Sequence, residues 1–329
     1  MGKKTKYTPL RVIDEMISSI RGYEEDANRK KPTTLEQVID VAATHGAEYA
    51  WEFLHKRYGL KPGMPASERL REGIHSVAYD FVIATFVLAH WQHNKQCYVF
   101  EKDFFDMLAD MEDFEVEWSI LNYLPYSNFY IELKDHPLVE GIFVEYRPND
   151  PAIAYAVVFN EKCELCVTGI NGGLVEPRET TSFKDFFERE IQLSNADLSD
   201  EYVILVRQIL TFMMQACMYL CSTNAQIIED PVQKNIYKKP TGIIKNRFQE
   251  IRKWNVGERV VKEHKRMQQE ACDEKEGGYE GRRRPRQHWR RAHWHTYWVG
   301  EGRKEKALKF VAPMLINNTG DAIPVVKHQ

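Results

Sequence analysis

A chain of 329 residues, 43% hydrophobic and 12% aromatic, carries enough apolar material for a sizeable core, which excludes a disordered or fibrous chain and makes two domains the ordinary expectation. The net charge of −3 conceals a division: residues 1–229 hold 22 Lys and Arg against 36 Asp and Glu, a net −14, whereas residues 230–329 hold 23 against 12, a net +11. An acidic body with a basic end points to two partners of opposite charge, or to two parts that attract each other.

Six unevenly spaced cysteines make no disulfide framework and suggest a reducing, cytoplasmic setting. The basic start at Lys3, Lys4 and Lys6 leads into a mixed segment with Asp14 and Glu15, which is not a signal-peptide pattern. The two most apolar runs, Val77–Trp91 and Tyr202–Cys221, contain Asp80 in one case and Arg207 with Gln208 in the other. Both read as buried helices rather than membrane spans, so no membrane partner is expected.

In chain order, Thr33 or Thr34 with Gln37 forms a capping box opening a helix whose apolar positions include Leu35, Val38, Ile39 and Ala42. Gly59 and the following KPGMP stop it. Ser67 opens a longer helix to about Asn94, with Leu70, Ile74, Val77, Ala78, Phe81, Val82 and Thr85 at helical spacing, and a short helix follows around Asp103–Glu112. The period then changes. NFYIELKD (128–135), GIFVEYRP (141–148), AIAYAVVFN (152–160) and CELCVTGI (163–170) read as an antiparallel meander of four strands, and Asn171-Gly172-Gly173 as a tight turn after it. Helical spacing returns at Ser182–Leu193 and Leu198–Ser222, which makes the fold class α+β. Residues 1–229 are therefore expected to form an acidic α+β body.

Residues 230–291 read as a basic connector, partly helical over Phe248–Glu270 with Gly257 interrupting, and mobile over the charged, glycine-bearing 271–288. Residues 292–329 read as a C-terminal β-hairpin and tail. Ala292–Val299 alternates, with Trp294, Thr296 and Trp298 on one face and His293, His295, Tyr297 and Val299 on the other. GEGRKEK turns the chain, and ALKFVAPMLI returns it.

The stretch from Arg282 to Trp298 concentrates six Arg, three His, three Trp and a Tyr. A metal site at His288, His293 and His295 lacks the further Cys or carboxylate that zinc requires at familiar spacing. Cys163-x-x-Cys166 is a lone pair whose members face opposite sides of a strand, and Cys217 with Cys221 fit a buried apolar helix. Walker loop, nucleophile elbow, zinc-protease and dinucleotide motifs are all missing, so no catalytic residues and no cofactor are assigned. Glu112, Asp113, Glu115 and Glu117 read as a solvated helix end or loop. Nucleic-acid or ribosome contact accounts for more of the stretch. Arg282, Arg283, Arg284, Arg286, Arg290 and Arg291 neutralise phosphates, while His293, Trp294, His295, Tyr297 and Trp298 offer faces for base stacking, worth about 1–3 kcal/mol each. Alternatively, Trp294 and Trp298 form the ribbon's docked face.

RRAHWHTYWVGEGRKEKALKFVAPMLINNTG (290–320) resembles the C-terminal signature of the type V-A anti-CRISPR family, in particular its second-numbered type, with its RR-x-HWH-x-YW-x-G-x-G block, Lys-containing strand and terminal Asn-x-Gly. WNVGERVV (254–261), KKPTG (238–242) and LPYSNFYIEL (124–133) are similar to further segments of that family. The resemblance implies a protein of phages and other mobile elements, acting in the cytoplasm of a bacterial host. Such a protein recognises the nascent N-terminal polypeptide of the type V-A effector nuclease and lowers its expression through translation-dependent mRNA loss. It implies a binding and recruiting protein rather than an enzyme. The resemblance implies a basic, amphipathic effector segment, which suits the acidic residues 1–229 as a candidate peptide-binding domain, and the basic end suits RNA or the ribosome. A general RNA- or ribosome-binding accessory protein and a His-dependent nuclease are the alternatives. Peptide-binding residues and oligomeric state are left open by the sequence.

Overall fold

The computed structural model describes residues 9–16, 68–111, 114–149, 151–163, 170–176, 182–185, 187–188, 200–230, 251–276 and 288–316, with isolated positions 18, 37 and 41. The capping box at Thr33 or Thr34 and the helix it opens lie outside the described residues, apart from the helical Gln37 and Val41. The expected Ser182–Leu193 helix is described only at its start.

Described helix α1 (Glu68–Asn94) ends where the sequence spacing ends. Lys95 takes a left-handed φ of 48°, its N–H donating to Trp91 O at 2.9 Å, and the chain turns straight into β1 (Gln96–Glu101). Helix α2 (Lys102–Ala109) follows, then a short 3-10 turn at Ile120–Tyr123. The meander is β2 (Asn128–Lys134), β3 (Val139–Arg147), β4 (Ala152–Phe159) and β5 (Ile170–Val175). Helix α3 (Asp200–Cys221) leads to β6 (Ile227–Glu229), β7 (Arg252–Val256) and helix α4 (Glu258–Glu276). The chain closes with β8 (His288–Arg290), β9 (His293–Val299), β10 (Glu305–Val311) and β11 (Met314–Ile316).

Seven strands form one sheet in the order β5-β4-β3-β2-β1-β7-β6. It is antiparallel except at β1, which runs parallel to both β2 and β7. Alternation along β2 splits the core: Phe129, Ile131 and Leu133 face α2 and α3, and Tyr130 faces α1 with Trp91 and Phe143. Residues 9–16 add Leu10, Val12, Ile13 and Met16 to the α1 side, where Arg11 also meets Glu140 at 2.8 Å. The meander is thus covered on both faces, which explains why its strands read as nearly continuous apolar runs. The α+β class holds.

Helix α3 has the length and apolarity of a membrane span, yet its residues from Ile209 to Leu220 are all buried. It is apolar all round because the sheet lies on one side and the β9–β10 ribbon on the other. Burial pushes the Cys217 thiol up to about 12, so this cysteine acts as a small apolar side chain.

Three expectations change. Asn171-Gly172-Gly173 is strand rather than turn, pairing with Val157, Ala156 and Tyr155. The glycines serve close approach: a Cβ at Gly172 would lie 2.3 Å from the Asp80 carbonyl oxygen of α1, and one at Gly173 2.3 Å from the Tyr155 hydroxyl. The fourth strand of the meander is therefore β5, and residues 164–169 of CELCVTGI lie outside the described residues. Second, the stretch expected to be partly helical over Phe248–Glu270 is helical only after Gly257. It contains a sheet strand, β7, and Gly257 (φ 73°) joins that strand to α4. β7 was hard to recognise because its polar residues are satisfied by distant partners: Lys253 meets Glu132 at 2.6 Å, and Trp254 Nε1 donates to Gln96 Oε1 at 2.9 Å. Third, the segment read as mobile begins as helix, since α4 runs to Glu276. The sheet draws strands from both sides of residue 230.

Two outcomes test this packing. Gly172→Ala drives a methyl into helix backbone and is expected to lower stability by about 1–3 kcal/mol in urea denaturation. Gly173→Ala displaces only the end of the Tyr155 side chain and costs less. Burial raises the Asp80 carboxyl from 3.8 to about 7. A group raised in the folded state holds its proton there longer than in the unfolded chain, so stability falls as pH rises between these two values. Asp80→Asn should therefore gain in melting temperature over wild type at pH 8 relative to pH 5, by an equivalent of at most about 3 kcal/mol.

Candidate functional site

Helix α2 is amphipathic at helical spacing. Phe104, Phe105 and Leu108 are buried, while Asp103, Asp106, Met107 and Asp110 share the opposite stripe. The chain beyond continues that wall with Met111, Phe114, Glu115 and Glu117, held by stacking of Phe114 on Phe183 at 5.2 Å and by a bridge between Glu115 and Ser182. Facing it, α4 presents Val261, His264, Lys265 and Gln268, again one stripe. The β8–β9 segment adds Trp289, Arg290, Arg291, His293, Trp294 and Thr296. Met218 of α3 and Leu308 of β10 complete a cleft of about 1120 Å³.

The cleft has an acidic, methionine-bearing wall and a cationic and aromatic wall. Two ion pairs span it: Lys265 of α4 with Asp103, and Lys306 of β10 with Glu117 at 3.0 Å. Asp106 is engaged by Lys102 on its own helix. Asp110 and Glu115 have no cation in ion-pair range among the described residues. Burial holds the His264 imidazole below its usual range, and its ring meets Trp289 edge-on at 5.2 Å. His264 is therefore neutral near pH 7, and the positive charge of its wall comes from lysine and arginine.

The sequence-predicted residues do not share one surface. Arg282, Arg283, Arg284 and Arg286 lie outside the described residues. Arg290, Arg291, His293 and Trp294 line the cleft. The Trp294 ring packs on Phe310 at 5.2 Å, and its Nε1 donates to Gln215 Oε1 of α3 at 2.5 Å. Trp298, on the same strand face, is 55% exposed at the ribbon's far end, with Lys306 Nζ 5.7 Å from its ring centroid. His295 and Tyr297 lie on the ribbon's other face. Arg290 Nη2 donates to His293 Nε2 at 3.0 Å, and the Nδ1 side lies 3.2 Å from the Arg291 carbonyl oxygen, so both imidazole nitrogens are engaged within the protein. Among the described residues, no three His, Cys, Asp or Glu side chains are grouped to hold a metal ion.

The acidic stripe of α2 escaped the sequence reading. Its signal was present as Asp103, Asp106, Met107 and Asp110 at i, i+3, i+4 and i+7, but a solvated helix face has the same pattern. What distinguishes it is the opposing wall, supplied more than 150 residues later.

The family model of the anti-CRISPR type V subtype A2 family (AcrVA2-like) matches residues 98–318. That span covers more than half of the chain and contains every cleft residue named above, and the chain belongs to this family. A comparison with curated proteins finds no match.

The two tryptophans of the docking face should separate on substitution. Trp294→Ala removes a half-buried ring and strands the Gln215 amide oxygen, at a cost of about 2–3 kcal/mol by chemical denaturation. Trp298→Ala is expected to stay within about 0.5 kcal/mol of wild type.

Proposed function

We propose that this member of the anti-CRISPR type V subtype A2 family binds the nascent N-terminal polypeptide of the type V-A effector nuclease in the cleft between α2, α4 and the ribbon. The anti-CRISPR role itself comes with the family. The observation that carries the peptide reading is an acidic wall that also presents the half-buried Met107 and Met111 beside its carboxylates. Methionine is flexible and polarizable, so such a surface accepts amphipathic helices of varied apolar residues, and flanking carboxylates favour a cationic partner. The resemblance implies an effector segment of that kind, basic and amphipathic.

In this reading the ligand's basic side chains meet Asp110 and Glu115, which no described cation occupies. The spanning pairs at Asp103 and Glu117 lie in solvent reach and are weak in water, so a ligand's lysines can exchange with them at little cost. Capture takes place while the effector is being translated in the cytoplasm of the bacterial host. Loss of the effector's mRNA follows, as the resemblance implies. No step requires this chain to break a bond.

The test uses the full chain with a fluorescent synthetic peptide of the effector's N-terminal segment. Asp110→Arg combined with Glu115→Arg should weaken binding at least tenfold and restore effector protein in cells expressing both, with melting temperature nearly unchanged. A folded double variant that binds the peptide as wild type does would remove the cleft from the mechanism.

A further inference from the structure

Cross-strand partners share a face of the ribbon, and its two faces differ in what they meet. Phe310 opposite Trp294, Leu308 opposite Thr296 and Lys306 opposite Trp298 turn toward α3 and the cleft. Lys309 opposite His295 and Ala307 opposite Tyr297 form the outward face. There, Ala307 is small, and the Tyr297 ring reaches across it so that its hydroxyl meets the Thr223 hydroxyl at 2.8 Å. The His295 ring follows at 6.1 Å, inclined by 35° to Tyr297. Both His295 and Lys309 are exposed. The loop after α3 holds the far edge of β10 in place, with Asn224 bonded to the Phe310 N–H at 3.0 Å and to its carbonyl at 2.9 Å. The result is a braced pair of ring faces with a cation beside them, and the exposed Arg290 and Arg291 lie just before this strand.

We propose that this outward face binds single-stranded nucleic acid, with unpaired bases stacking on Tyr297 and His295 and the backbone phosphates meeting Lys309, Arg290 and Arg291. Stacking on aromatic rings is indifferent to base identity and requires bases that are not already paired, whereas a duplex offers only its phosphates here. Tyr297, His295 and Lys309 lie outside the peptide cleft, which this face shares only at Arg290 and Arg291, and Tyr297 is braced before any ligand arrives, so little side-chain entropy remains to be lost.

Anisotropy titrations of the full chain would use fluorescein-labelled single-stranded RNA and DNA 12-mers, with an RNA duplex as control. Wild type should bind one or both single strands at micromolar concentration in low salt, and the duplex more weakly. Tyr297→Ala and His295→Ala should each lose roughly tenfold. Lys309→Ala should lower the slope of log K against log salt by about 0.7. Tyr297→Phe keeps the ring while losing the Thr223 contact, and should stay within about threefold of wild type, whereas a purely structural role would make it fail with Tyr297→Ala. Binding to RNA alone, DNA alone or both supports the proposal and names the source. Absence of wild-type binding, equal binding of duplex, or unchanged affinity in folded Tyr297→Ala and His295→Ala overturns it. Peptide titration of the same variants keeps this outcome separate from that of the cleft.

Discussion

Phe104 is the side chain on which the two ends of the chain meet. It stacks on Phe100 of β1 at 5.8 Å and takes Tyr219 of α3 edge-on at 4.9 Å and Phe310 of the ribbon at 6.1 Å. The fourth neighbour is Gly257, where an added Cβ would come within 2.3 Å of the ring. One fully buried phenylalanine thus fixes sheet, core helix, ribbon and the start of α4 together, and edge-to-face contacts of this kind add about 0.5–1.5 kcal/mol each beyond burial. Gln226 closes the same region in backbone terms. It donates its N–H to the Tyr219 hydroxyl, accepts from Gly257 N–H, and caps α4 by accepting the Arg259 N–H at its side-chain oxygen. The cleft exists because this junction holds α2 and α4 apart, with the acidic stripe of α2 facing the Lys265-bearing stripe of α4.

The division of charge along the chain has a partly internal explanation. Lys253 with Glu132, Lys265 with Asp103 and Lys306 with Glu117 all join a basic residue of the last hundred to an acidic residue of the body. Lys253 is 8% exposed and sits within the sheet, so that pair belongs to the fold. The other two lie at the cleft in solvent reach and are weak in water. Mutual attraction therefore does not exhaust the acidic excess, and among the described carboxylates Asp110 and Glu115 share one wall of the cleft.

How much of this was legible in the sequence depends on the range over which each residue is satisfied. α1, α3, the meander and the C-terminal hairpin were readable because their apolar period matches a face buried nearby in the chain. β7 was not, since its Lys253 and Trp254 are completed by Glu132 and Gln96, more than a hundred residues earlier. Gly172 and Gly173 read as a turn because glycine signals both turns and close approach, and only the path of α1 decides between them. The HWHTYW block was correctly read as a two-faced strand. Which face docks was open, and the fully buried Gln215 of α3 decides it by accepting from Trp294.

The cleft's two walls also constrain what can occupy it. Arg290, Arg291 and Lys265 would repel a peptide that is cationic all round, just as the α2 stripe would repel an acidic one. A helix with basic residues on one side and apolar or acidic residues on the other satisfies both walls at once, provided it enters in a single rotational setting. Under the proposed function, discrimination among basic peptides would come from the arginine wall, which penalises the wrong ones, as much as from the carboxylates that attract the right one.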